Sequence, residues 1–135
     1  FFERYPDIFS LDVRKRVIVN EFMQANSPDI YVLGDSASTK YSGMAQTAIT
    51  DALQLAENFK RMAKNEEIVE YTTNLPVYVV PIGLAWAVAQ VGEKICVDDE
   101  GWKIRRDADY FVLSSFLPEE KAKHHWEAAF QIAQI

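Results

Sequence analysis

Cysteine is almost missing from this chain: Cys96 is its one thiol in 135 residues. That excludes an internal disulfide, a CxxC redox pair and any multi-cysteine metal site. Glycine is scarce too. Gly34, Gly43, Gly83, Gly92 and Gly101 are the whole set, and no three of them form GxGxxG. The phosphate-binding fingerprint of a dinucleotide fold is therefore absent from this chain. Basic charge is in the minority, 14 Lys and Arg against 20 Asp and Glu, for a net charge of −6. A nucleic-acid footprint would be basic, so no nucleic-acid partner is expected.

Long apolar runs are missing as well. The longest, residues 77–89, is broken by Pro81 and Gly83 and falls short of the roughly 20 residues of a bilayer span. Phe1-Phe2-Glu3-Arg4-Tyr5-Pro6 lacks the basic and apolar regions of a secretory signal. With no initiator Met, the chain is expected to be a piece of a longer polypeptide. Neither an internal repeat nor a low-complexity tract is present. What remains is 49% apolar and 25% charged, ordinary for a soluble globular domain that needs no staples.

The spacing of residues predicts the following order. Val17-Ile18-Val19 reads as a short strand after the basic turn Arg14-Lys15-Arg16. Ser27-Pro28-Asp29 is a turn signal, and Ile30-Tyr31-Val32-Leu33 an unalternating apolar run that fits a strand buried on both faces. Ala45, Ala48, Ala52, Leu55, Ala56, Phe59, Met62 and Ala63 recur at helical spacing, with Thr50, Asp51, Glu57, Lys60 and Lys64 opposite them. They predict a long amphipathic helix that Ser42 would cap. Residues 65–74 read as a connector. Val77-Tyr78-Val79-Val80 is strand-like, and residues 85–91 and 94–97 would pair as a hairpin across Gly92-Glu93. Asp98-Asp99-Glu100-Gly101 reads as a second turn. A last helix starts at Pro118, with Ala122, Trp126, Ala129, Phe130 and Ala133 on its apolar face.

Few residues suggest catalysis. His124 and His125 are adjacent, so on a helix they diverge by about 100° and cannot chelate one metal. The acidic run at 98–101 lacks the alternating oxygens and closing Glu of a calcium loop, and reads as an acidic hairpin turn. Cys96 reads as a small core residue, and Arg105-Arg106 near Asp107 and Asp109 as a solvated charge cluster. No catalytic residue and no metal site is assigned. The succession of strand, Gly34-Asp35, loop and helix start is different. Ligands of open α/β sheets bind beyond strand carboxyl ends, where helix N-termini offer free N–H groups. Asp35 is placed either to accept from a sugar-like hydroxyl or merely to cap a turn; spacing does not choose. The N–H groups of Met44, Ala45 and Gln46 would face an electron-rich ring edge.

Pro28-Asp29-Ile30-Tyr31-Val32-Leu33-Gly34-Asp35-Ser36-Ala37, followed by Gly43-Met44-Ala45-Gln46-Thr47-Ala48, resembles the second flavin-binding motif of two-dinucleotide-domain flavoproteins. Among the pyridine nucleotide-disulfide oxidoreductase superfamily it is most similar to type II NADH dehydrogenases and sulfide:quinone oxidoreductases. Leu11-Asp12 and Arg16-Val17-Ile18-Val19-Asn20-Glu21 are similar to the strand pair before that motif. The resemblance is specific over residues 11–65 and looser over 77–126. It implies an α/β to α+β fold: residues 1–65 as the C-terminal part of an FAD-binding domain, of short strands and one long helix. Residues 66–135 would be a hairpin and C-terminal helix tail forming an interface.

The resemblance further implies that Gly34 and Asp35 belong to the FAD site, with Asp35 binding a ribityl hydroxyl, and that Met44, Ala45 and Gln46 approach the flavin ring. NAD(P)H would be the hydride donor and a quinone or other molecule the acceptor. The family's quinone signature, Ala-Gln-x-Ala-x-Gln, ends here in Thr50. The upstream part of the same polypeptide would be the main partner. This 135-residue fragment is expected to be inactive alone and to hold FAD weakly or not at all. Its location would be cytoplasmic, or peripheral on the inner face of the membrane. A reading of another class makes residues 75–135 a homodimerisation or membrane-docking module, with Trp86, Trp102, Trp126, Phe111 and Phe116 at the contact.

Overall fold

The helix predicted from small apolar residues at three- and four-residue spacing is α1, Ala45–Ala63. The structure, a computed structural model, describes residues 1–83 and 85–131, the side chains of 130 and 131 excepted. Among these residues lie three α-helices and a three-stranded antiparallel sheet, a mixed α+β arrangement. They belong to two compact units, Phe1–Leu75 and Pro76–Ile135.

In the first unit α1 buries a different stripe from the expected one. Thr47, Asp51, Leu55 and Asn58, spaced by four, four and three, face inward. Leu53, Phe59 and Met62 are exposed. The expected solvent-side Asp51 is thus fully buried. The reason is that α1 is fastened by hydrogen bonds as well as by apolar contact. Asn58 accepts from the Val69 N–H at 2.9 Å and donates to the Val69 carbonyl at 2.8 Å. Gln54 donates to the Thr72 hydroxyl at 2.9 Å, and Asp51 accepts from the Tyr71 hydroxyl at 2.7 Å. Residues 66–75 therefore form a strap along α1 and belong to the first unit, which runs past the expected boundary at residue 65 to Leu75.

The two expected strands of this unit do not form ladders. Val17 makes single bridges to Leu11 and Ala37, and Gln24 makes one to Tyr31. The reason is local: each segment meets its neighbours at one residue before turning away. Val17 donates to the Ser36 carbonyl at 2.8 Å and accepts from the Ser38 N–H at 2.7 Å. Of residues 30–33, Val32 alone among the side chains is buried, and the other three are half-buried. Phe9, Val17, Val32 and Ala37 form the core beneath them. Asp12 shapes the turn before Val17, accepting from the N–H groups of Arg14 and Arg16 and from the Ser38 hydroxyl. Those bonds hold its carboxyl below the usual value, the Arg16 N–H contributing most.

The second unit contains β1 (Tyr78–Pro81), β2 (Ala87–Val91), β3 (Lys94–Cys96), α2 (Asp98–Ser114) and α3 (Glu119–Gln131). The strands run antiparallel in that order. The hairpin turns at Gly92-Glu93 as expected, with Val91 opposite Lys94 and Gly92 at φ +61°. The acidic run at 98–101 is the first turn of α2, a correction to the expected hairpin turn. Its carboxylates suit the positive end of the helix dipole. Gly101 allows the helix to touch the sheet, because a Cβ there would lie 2.1 Å from the Ala87 carbonyl oxygen. Ala87, Ala89 and Cys96 are buried at this contact, so the lone cysteine is a core residue. Ala122 is buried and Trp126 half-buried on α3, while Ala129 is exposed. The Phe130 side chain, Ala133 and Leu84 lie outside the described residues.

Candidate functional site

Gly34, Asp35 and Ser36 form one 3-10 turn, entered from an extended Leu33. Gly34 has φ +63°, which a side chain disfavours, and a Cβ added to it would stand 3.1 Å from the Ala48 Cβ. The glycine is thus required by both its backbone and its neighbour. It brings the turn against the first turn of α1. Its N–H donates to Asp51 Oδ2 at 3.0 Å, from behind the turn. Gly34 is buried, whereas Asp35 is exposed. Among the described residues no group hydrogen-bonds the Asp35 carboxylate. This carboxylate is therefore presented outward on a backbone anchored from inside.

Met44 occupies the position before α1 in extended geometry, and no side chain caps the helix there. Ser42, the expected cap, is engaged elsewhere: its hydroxyl donates to the Thr39 carbonyl and accepts from the Arg16 guanidinium. Arg16 also donates to the Ser42 carbonyl at 3.0 Å. Gly43, at φ +103°, leaves room for this arginine, since a Cβ would come within 2.9 Å of Arg16 Nη2. Arg16 thus fixes the loop that leads into the helix. Met44 and Gln46 are half-buried and Ala45 exposed. The Thr50 hydroxyl, which stands where the quinone signature has Gln, donates back to the Gln46 carbonyl at 3.1 Å. The five residues singled out from the sequence thus occupy one region, at the turn and the start of α1.

Neither Asp51 nor Tyr71 was singled out from the sequence as a site residue. Burial raises the Tyr71 phenol to about 12, helped by its hydrogen bond to Asp51 and by that carboxylate's charge. Asp51 looked like a solvent-facing helix residue because a buried acid is rare unless partnered, and its partners lie far along the chain. The signal that existed was the polar set Asp51, Gln54, Asn58 and Arg61, recurring at three- and four-residue spacing.

In the second unit, His124 and His125 are exposed, their rings 5.7 Å apart. No cluster of three His, Cys, Asp or Glu side chains able to hold a metal ion exists among the described residues. No helix among them is long and apolar enough to cross a membrane. Arg105 pairs with Asp109, and Lys103 with Asp107 at 2.7 Å, along the surface of α2. The three tryptophans are half-buried. Trp86 donates to Asp98, and Trp126 donates to the Arg106 carbonyl at 2.8 Å while its ring packs under the Arg106 guanidinium. Phe111 and Phe116 are exposed.

Comparison with protein-family models and with curated proteins finds no match to this chain.

Proposed function

We propose that this chain is the carboxyl-terminal portion of an FAD-dependent NAD(P)H oxidoreductase and supplies the ribityl and ring side of its flavin site. One observation carries the reading: the exposed, unengaged Asp35 carboxylate on a buried Gly34, packed against the uncapped start of α1. A carboxylate so presented is a hydrogen-bond acceptor for a polyol. The N–H groups at a helix start and the helix dipole stabilise negative charge nearby. Both features fit FAD, whose ribityl chain carries hydroxyls and whose ring gathers negative charge on reduction. The phosphate-binding glycines would come from the upstream part of the polypeptide.

In the whole enzyme, bound FAD would supply the redox chemistry between NAD(P)H and a quinone or other acceptor. Asp35 holds the ribityl chain, and the backbone at Met44, Ala45 and Gln46 faces the ring. Gly34 gives the backbone its close approach to α1. The test is the full-length polypeptide, purified gently. It should show flavin absorbance or take up added FAD. Asp35→Ala should loosen FAD by about tenfold or more, the loss of one charge-assisted hydrogen bond. A colourless protein that takes up no FAD, or unchanged affinity in the variant, refutes the reading.

The outer face of the sheet favours a second role. Register places Tyr78 and Ile95 opposite Gln90, and Val80 opposite Val88, all on the face turned away from buried Ala87 and Ala89. Val80 and Ile95 are 60% and 57% exposed. Such a face suits a second copy of the chain, without chemistry of its own. A strictly monomeric chain in sedimentation, with no affinity for lipid vesicles, would remove both the dimerisation and the membrane-docking forms of this reading.

A further inference from the structure

Asp51 is the one ionisable side chain among the largest fully buried groups, and nothing in the flavin reading uses it. No Lys, Arg or His pairs with it among the described residues. Its two oxygens are instead divided between two neutral donors. Oδ2 takes the Gly34 N–H at 3.0 Å, and Oδ1 takes the Tyr71 hydroxyl at 2.7 Å. Burying a carboxylate on such terms is costly, and an apolar residue at this point of α1 would avoid the cost. What an apolar residue could not do is hold the peptide that precedes Asp35. Gly34 sits at φ +63° against Ala48, so its N–H direction fixes how the turn presents the next residue. Tyr71, in turn, is tied down by its own N–H, which donates to the Glu21 carbonyl at 2.7 Å.

We infer that Asp51 is a positioning residue for Asp35, clamping the Gly34 peptide from inside while the strap residue Tyr71 holds the Asp51 carboxylate in place. The inference rests on the flavin reading of Asp35. It assigns ligand affinity to a buried pair that no ligand touches. The high Tyr71 value agrees with a phenol that stays a donor to Asp51 throughout the ordinary pH range.

The experiment is a thermodynamic cycle in the full-length polypeptide, reading FAD affinity and melting temperature together. Asp51→Ala should loosen FAD about tenfold. In an Asp35→Ala background the same change should cost no further affinity, while the drop in melting temperature persists in both backgrounds. Asp51→Asn should recover affinity to within about threefold, since its oxygen accepts from Gly34 and its amide donates to the phenol oxygen. A purely structural Asp51 would lose affinity and stability alike in either background. Additive losses in the double variant, or unchanged affinity in Asp51→Ala alongside a loosened Asp35→Ala, overturn the inference. Unchanged affinity in Asp35→Ala instead overturns the flavin reading itself. Should Asp51→Ala fail to fold, Tyr71→Phe carries the cycle: a loss of about threefold, abolished by Asp35→Ala, supports the clamp, and an additive or absent loss refutes it.

Discussion

The N–H of Gly34 donates to the buried carboxylate of Asp51 across 17 residues of chain at 3.0 Å. That bond joins the turn that exposes Asp35 to the inward face of α1. It makes the geometry of the candidate site a property of the helix rather than of the loop alone.

Gly34 is the most constrained position of the site. Gly34→Ala adds a Cβ at 3.1 Å from Ala48 and places a side chain at φ +63°. Chemical denaturation should show a loss of about 2 kcal/mol, the sum of a left-handed backbone and local overpacking.

Tyr71 sets an alkaline limit. Its phenol titrates at about 12 in the folded chain against 10.0 ordinarily. The unfolded chain therefore loses this proton first, and stability falls as pH rises from 10 towards 12, having been complete below 10. Ultraviolet titration of tyrosinate should find one of the six tyrosines lagging. Tyr71→Phe should remove that lagging group and flatten the alkaline slope of stability.

Asn58 pins the strap through both the N–H and the carbonyl of Val69. Asn58→Ala should cost about 2 kcal/mol, since it removes two hydrogen bonds from a buried side chain. Limited proteolysis should then cut within residues 66–75 faster than in the unsubstituted chain. Equal cleavage rates would show that the strap is held by other contacts.

Gly101 has no room to grow. A methyl group there would overlap the Ala87 carbonyl oxygen at 2.1 Å, backbone against helix, with no flexible side chain to yield. Gly101→Ala should destabilise the second unit by about 3 kcal/mol or more. Gly92→Ala is the control: open space surrounds it, and only its φ of +61° opposes the change, at about 1 kcal/mol. Equilibrium unfolding of the two variants separates crowding from backbone strain.

The local elements were legible in the residue pattern alone. Helical spacing placed α1 at Ala45–Ala63, and Gly92-Glu93 placed the hairpin between β2 and β3. Both depend on interactions between near neighbours, which composition and period express. Gly34-Asp35 and the helix start were legible as a candidate site for the same reason. Long-range contacts set which face of α1 is inward, because Asp51, Asn58 and Gln54 find their partners in the strap and the turn. The same kind of contact makes 98–101 the opening of a helix and leaves residues 17–19 and 30–33 with single bridges instead of ladders. A buried carboxylate and a glycine beneath a helix take their meaning from atoms far along the chain; the polar stripe of α1 hints at an engaged face, but its partners lie outside the segment.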